Sequence, residues 1–390
     1  MIRLIIILIL TLQWAEACKL WGTCTKTNIT LPELSDDSFT DLDLQLREFF
    51  LQSNQMINGW ALLGYGNNPG EQITPLHRSS EPATNDSLLY WQKVDTLLQM
   101  ESGKIGIGHL RLASSGSESI PNPHPWMFHD NGLSYSLVHN GTISKVLLRN
   151  LITDDGFNTS WLDDHPPQTF GGGNWNGSGW ANVVDSELLM LFIMRNINTH
   201  QSSVSGFKIS MLELVNAGVN ASQLNIIFSD GISLFIFGGQ DGLYTKESTD
   251  CFSVMTQPPQ EEIVSWDGIG YQEIIIIRDD GLIRYADYVE NNLDRFETII
   301  VPSFLQMSPA FPNPFNGELS FYLEGLVVGN INISIYSITG TLVDQFIVPG
   351  MNNEKIKVNW QPINELSSGT YFIKTKSNEL EQSQKILFVK

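Results

Sequence analysis

Ile105-Gly106-Ile107-Gly108-His109-Leu110 reads as a β-strand, and the chain runs on through Arg111-Leu112-Ala113-Ser114-Ser115-Gly116 into a small polar turn. The turn offers a fixed cation, Arg111, for a substrate carboxylate. Runs of the same texture lie on both sides: Trp60–Tyr65, 135–139, 224–228, Leu234–Phe237 and 273–277 also read as strands. Among them, 186–197 carries Leu188, Leu189, Phe192 and Ile193 at helical spacing, with Asp185 and Glu187 at its start. Strands interleaved with helices predict an α+β fold, with helices covering sheets around a mixed core.

The chain has 390 residues, enough for two or three domains. Its 42% hydrophobic and 16% charged residues describe a globular protein with a real core. Acidic residues number 42 against 22 basic ones, a net charge of −20. Such a polyanion repels phosphate backbones, which argues against nucleic acid as a partner. Two compositional breaks stand out. Residues 154–182, including Gly171-Gly172-Gly173-Asn174-Trp175-Asn176, have loop composition long enough for a lid or an insertion. Residues 301–309 read as a Pro-flanked linker. Beyond Ala310 the texture is β only: runs at 319–323, 332–336, 356–360, 370–375 and 385–389, with turn signals at Thr339-Gly340 and Ser368-Gly369, predict a small antiparallel sandwich.

The first residues have a different logic. Met1-Ile2-Arg3 is a short positive start, 4–12 is an almost unbroken apolar run, and Ala15-Glu16-Ala17 gives the small-x-small pattern of a cleavage site. The run is too short to span a bilayer, so 1–17 reads as a removable signal peptide and the mature protein as exported, with no membrane span. Cleavage after Ala17 leaves Cys18 at the N-terminus. A lipoprotein reading also begins on cysteine, but it fits Ala15 and Glu16 badly.

Cysteines occur at 18, 24 and 251. Two states stay open for Cys24 and Cys251: a disulfide, or two buried thiols. An N-terminal Cys18 carries a nucleophile and a base on one residue, because a free α-amine titrates near 8. Two further segments supply matching chemistry. His139-Asn140-Gly141-Thr142-Ile143 ends a strand on a side-chain amide beside a glycine, a plausible oxyanion hole. Val184-Asp185-Ser186-Glu187 sets a carboxylate at a helix start, suited to an ammonium group. Cation, anion and oxyanion sites together would recognise an α-amino acid bearing a side-chain amide. Each residue also has a plainer reading: Arg111 as an ion-pair partner, Asn140-Gly141 as a hairpin turn, Asp185 as a helix cap. His124, His129 and His139 have no metal-ligand spacing and read as structural; neither a metal nor a cofactor is expected. Trp161, Trp175 and Trp180 read either as a substrate lid or as loop packing.

In this order, these residues resemble the class II glutamine amidotransferase domain of the N-terminal-nucleophile hydrolases, in particular stand-alone γ-glutamyl amidohydrolases. Asn122-Pro123-His124-Pro125, Ser229-Asp230-Gly231 and Thr256-Gln257-Pro258-Pro259 with Trp266 resemble further motifs of that family, so the likeness spans residues 18 to about 284. It implies a four-layer αββα sandwich over 18–300. It also implies Cys18 as nucleophile and base, Arg111 with Ser114 or Ser115 on the substrate α-carboxylate, Asn140 and Gly141 on the oxyanion, and Asp185 on the α-amino group. Leu112 stands where many members carry Trp, and Ser115 where some carry His. Phe311-Pro312-Asn313-Pro314-Phe315-Asn316, 333–340 and 366–371, with the terminal Lys390, resemble the type IX secretion sorting domain of Bacteroidota. The implied partners are a small γ-glutamyl substrate and the type IX machinery. The expected reaction is hydrolysis of a γ-glutamyl amide through a thioester. An amidotransferase subunit feeding ammonia to a partner, or a non-catalytic surface binding protein, are the competing readings.

Overall fold

The computed structural model describes residues 18–66, 72–113, 124–130, 132–170, 174–239, 242–286, 288–289, 304–327, 331–348, 351–362, 366–377 and 380–390. Contacts divide the chain into two units, 1–296 and 297–390.

In the first unit a seven-stranded antiparallel sheet is built from β1 (Lys19–Thr25), β2 (Trp60–Tyr65), β3 (Gln72–Ser79), β4 (Ile105–Leu110), β9 (Tyr244–Glu247), β10 (Cys251–Met255) and β11 (Asp267–Gly268), in the order β11-β9-β10-β1-β4-β2-β3. A six-stranded sheet has the order β13-β12-β8-β7-β6-β5, from β5 (Trp126–Asp130), β6 (Leu133–Asn140), β7 (Asn225–Ser229), β8 (Leu234–Phe237), β12 (Ile274–Arg278) and β13 (Gly281–Tyr285). The helices are α1 (Asp36–Gln52), α2 (Ser87–Gln99), α3 (Lys145–Thr153), α4 (Ser160–Asp164), α5 (Asp185–His200) and α6 (Ser203–Asn216).

Strand alternation assigns the layers. On β1, Trp21 packs with Leu42, Leu46 and Phe49 of α1 and with Val94 and Leu97 of α2. Its neighbours Leu20 and Cys24 point the other way, onto Val138, Ile227, Leu234 and Ile236 of the second sheet. Trp21 donates its indole N–H to Gln45 Oε1 at 3.1 Å, so the buried ring carries no orphan donor. On the far face of the second sheet, Phe228 and Phe235 meet Phe207 of α6, with ring centroids 5.8 and 5.6 Å apart. Burying each such ring is worth about 1.5–3 kcal/mol. The result is helices, sheet, sheet, helices: the expected αββα sandwich. Residues 188–194 of α5 are all buried, because the helix lies among α3, α6 and the sheet.

Three features differ from, or decide between, the sequence readings. The described residues of 154–182 include helix α4 and single 3-10 turns at Gln168–Phe170 and Trp180–Asn182. The tryptophans of this segment pack within it and against neighbouring helices: buried Trp175 donates to Asp163 Oδ1 at 3.3 Å, Trp161 to Leu191 O of α5 at 3.0 Å, and Trp180 lies under Lys145 and Arg149 of α3. Cys18, Cys24 and Cys251 are all free thiols. Cys24 pairs in register with Phe252, and Cys251 with Thr25, so Cys24 and Cys251 lie on opposite faces of one sheet and cannot bond. Finally, Phe304–Met307, inside the stretch read as linker, is strand β14.

The second unit is all β. One sheet has the order β14-β15-β18 (β15 Leu319–Val327, β18 Met351–Trp360), the other β17-β16-β19-β20 (β16 Ile331–Ser337, β17 Leu342–Val348, β19 Gly369–Ser377, β20 Leu380–Phe388). Leu319, Phe321, Leu323, Ile331, Ile333, Ile335, Ile373 and Ile386 form the core between them, the sandwich expected from the turn spacing.

Candidate functional site

Cys18 stands immediately before β1 and is half-buried. Both neighbouring strands pin the start of β1: Lys19 pairs with Leu110, Leu20 N donates to Thr256 Oγ1 at 3.1 Å, and Thr256 N donates to Leu20 O at 3.0 Å. This sets the Cys18 sulfur against the backbone of Leu112. Leu112 N approaches Sγ at 3.4 Å, and Sγ lies 3.5 Å from Leu112 O. Burial pushes the thiol pKa up, while the Leu112 backbone and the Arg111 charge pull against it. The thiol therefore needs a base to ionise it.

Arg111 is 5% exposed and precedes the residue that touches the sulfur. Its N–H donates to Gly59 O at 2.8 Å, and its carbonyl accepts from Asn58 N at 3.1 Å. Asn58 Oδ1 also accepts from Ala113 N at 2.8 Å, so one buried side chain braces the segment leaving β4. Neither Asn58 nor Thr256 stood out as a positioning residue in the sequence; an Asn in a loop carries no periodic signal. Ser114, Ser115, Asn122 and Pro123 lie outside the described residues.

Asn140 closes β6, paired in register with Asn225. Gly141 follows where the chain passes the carbonyl of Gln223 so closely that a Cβ would sit 2.0 Å from that oxygen. His139 Nε2 donates to the same oxygen at 2.7 Å, which fixes the tautomer, so Nδ1 accepts from Ser186 Oγ at 2.9 Å. Asp185, 5% exposed at the first turn of α5, accepts from Ile143 N at 2.8 Å. The Asn140–Ile143 turn is thus clamped to the start of α5. Asp185 has one oxygen already engaged with the backbone, a positioning duty beyond the amine binding expected of it.

The structure brings Cys18 next to Arg111 on one sheet, and Asn140-Gly141 next to Asp185 on the other. A string of buried histidines links the two pairs. His109 Nε2 and His124 Nδ1 are 2.9 Å apart, and the His124 and His139 rings lie with centroids 6.4 Å apart. Burial, and for His109 and His124 the nearby Arg111 charge, lowers the pKa of these rings and keeps them neutral. His129, in contrast, is exposed and bonds Ser134 at 2.9 Å. Among the described residues no group of three His, Cys, Asp or Glu side chains is placed to hold a metal ion.

Comparison with known proteins finds a curated relative, an uncharacterized protein of Methanocaldococcus jannaschii, 24% identical over 222 residues, which are 56% of this chain and 50% of the relative. The chain spans about half the length of that relative. Among solved structures, a glutamine aminotransferase class-II domain protein from Silicibacter pomeroyi is similar over 68% of this chain and 97% of its own, at 16% identity and a TM-score of 0.39. A "predicted glutamine amidotransferase" from Pseudomonas aeruginosa is similar over 69% and 96%, at 15% identity and a TM-score of 0.32. Residues 309–390 match the secretion system C-terminal sorting domain, so the chain ends in a sorting domain and is a secreted or cell-surface protein.

Proposed function

We propose that the chain is an exported cysteine amidohydrolase that cleaves the amide of glutamine or of a γ-glutamyl compound. One observation carries the reading: the Cys18 sulfur lies within 3.5 Å of the Leu112 backbone, directly beside buried Arg111, at the start of a strand. A thiol raised by burial needs a base, and in the full chain the nitrogen of residue 18 is a peptide nitrogen with no proton affinity to offer. Removal of 1–17 frees it. The α-amine then takes the thiol proton and the thiolate attacks the γ-carbonyl. Negative charge on the carbonyl oxygen is met by the Asn140 side-chain amide and the Gly141 N–H. The ammonium returns its proton to the departing ammonia or amine, leaving a γ-glutamyl thioester that water converts to glutamate and free thiol. Arg111 holds the substrate α-carboxylate and Asp185 its α-ammonium. Export engages the type IX secretion machinery through the sorting domain.

Ammonia or amine release from glutamine and γ-glutamyl peptides by protein beginning at Cys18 tests the reading. Cys18→Ala abolishes turnover. A single extra residue placed before Cys18 also abolishes it, although the thiol is intact; full activity in that extended protein overturns the proposal.

A further inference from the structure

Beside the proposed site, buried nitrogens with no partner among the described residues gather at one edge of the sandwich. In the seven-stranded sheet Arg78, Ala61 and His109 pair in register across β3, β2 and β4. They share one row and one face, with Arg78 and His109 about 10 Å apart at two strand spacings. The residue between them, Ala61, has only a methyl side chain. Trp126 at the start of β5, and His124 just before it, meet the row from the second sheet's side. His124 meets His109 at 2.9 Å, the His124 and Trp126 rings lie with centroids 6.1 Å apart, and the Arg78 guanidinium lies 5.7 Å from the centre of the Trp126 ring.

His124 and Trp126 are 7% and 5% exposed. Among the described residues His109 Nδ1, His124 Nε2, Trp126 Nε1 and Arg78 Nε are all buried without a hydrogen-bond partner. Orphaned buried polar atoms are rare and each one costs stability, so four side by side point to a missing group. Trp126 Nε1 and Arg78 Nε are donors only, which calls for an acceptor. Arg78 adds a full positive charge. Among the described residues its Nη2 donates to Pro125 O, and Glu187, whose charge opposes it, already accepts from Gln168 N, Thr169 N and Thr169 Oγ. Arg111 leaves the same strand two residues beyond His109.

We propose that Arg78, His124 and Trp126 form a second anion pocket that takes a carboxylate on the leaving-group side of the substrate. This deepens the amidohydrolase reading and rests on it: the preferred substrate is a γ-glutamyl amino acid, whose amine portion carries its own carboxylate, over glutamine or an uncharged γ-glutamyl amide. A planar carboxylate suits the guanidinium edge and the indole N–H.

Binding to the Cys18→Ser protein, beginning at residue 18, tests this with γ-glutamylglycine against γ-glutamylmethylamide. γ-Glutamylglycine binds more tightly by about tenfold or more, and Arg78→Gln brings the ratio close to one. Trp126→Phe, which removes only the N–H, lowers the ratio severalfold and guards against a folding failure in the first variant. A ratio near one in the parent, or one that survives both substitutions, overturns the pocket. Succinate, which has carboxylates but no amide, separates the two claims: it raises the melting temperature of the parent more than that of Arg78→Gln, whose Arg111 remains to take one carboxylate. Stabilisation by succinate through Arg78 without turnover of any amide by the Cys18 protein sinks the amidohydrolase reading and keeps the pocket. Turnover of glutamine without discrimination does the reverse.

Discussion

Asp185 Oδ2 accepts the backbone N–H of Ile143 at 2.8 Å, so the carboxylate at the start of α5 holds the turn that bears Asn140 and Gly141. Both groups are buried, and a hydrogen bond to a charged acceptor in that setting is worth about 1.5–3 kcal/mol. Asp185→Ala is expected to lower stability by about that amount and to reduce kcat/KM by about a hundredfold or more, because it loosens the turn and removes the charge proposed to bind the substrate amine. Asp185→Asn retains a hydrogen-bond acceptor, so it restores most of the stability but little of the activity. Denaturant unfolding and steady-state kinetics on the pair check this; equal loss of both properties in the two variants would assign Asp185 a purely structural role.

Gly141 has no room for a side chain. A Cβ there would fall 2.0 Å from the Gln223 carbonyl oxygen, which also receives the His139 Nε2–H. Gly141→Ala must push the turn away from Gln223, at a cost of about 1–3 kcal/mol or more. The expected result is a lowered melting temperature together with a loss of kcat larger than any rise in KM, since the displaced N–H is the proposed oxyanion donor. A stable, fully active Gly141→Ala protein removes Gly141 from the oxyanion role.

Much of this arrangement is legible in the sequence, and the limits have physical causes. Strands such as Leu234–Phe237 have sharp ends because both faces are buried and the apolar run is bounded by Ser233 and by Gly238-Gly239. The helix at α5 shows through its apolar spacing, yet its full burial does not, because neighbours on every side are a tertiary fact. The β1 strand, Lys19–Thr25, mixes Lys, Gly and Thr among its apolar residues and gives no clear period, although it positions the proposed nucleophile Cys18 just before it. Asn58 and Thr256 act through single hydrogen bonds to backbone distant in sequence, which no spacing rule encodes. The same holds for the register that lines up Arg78 with His109 across Ala61.

Glu187 fastens the insertion to the first turn of α5. Its carboxylate accepts from Gln168 N at 2.6 Å, from Thr169 N at 3.2 Å and from Thr169 Oγ. Burial raises the Glu187 pKa, while those donors and the Arg78 charge oppose the rise. Glu187→Ala strands several donors at once, at a cost of about 1–3 kcal/mol for each one left buried. Limited proteolysis is expected to cut this variant within residues 154–182 faster than the parent, with the rest of the unit intact. Unchanged cleavage would mean that the bonds of Trp161 to α5 and of Trp175 to Asp163 hold the insertion without Glu187.

The buried histidines give the fold a pH dependence of fixed sign. His109, His124 and His139 have folded pKa values below their ordinary value near 6.5, from burial first and, for His109 and His124, from Arg111 and neighbouring rings. Below about pH 6.5 the unfolded chain therefore takes up protons that the folded chain refuses, so unfolding becomes progressively easier as pH falls. Above that pH these groups are neutral in both states and contribute no slope. Each such ring adds up to about 1.4 kcal/mol per pH unit across the window between its folded and unfolded values. Urea unfolding between pH 4.5 and 8 should show stability level at the alkaline end and falling below pH 6.5. His109→Gln with His124→Gln should flatten the fall relative to the parent, whatever the double variant costs at pH 8, because carboxylate titrations are common to both proteins. A parent and a double variant with the same slope between pH 5 and 6.5 would mean that the pair is already protonated in the folded state.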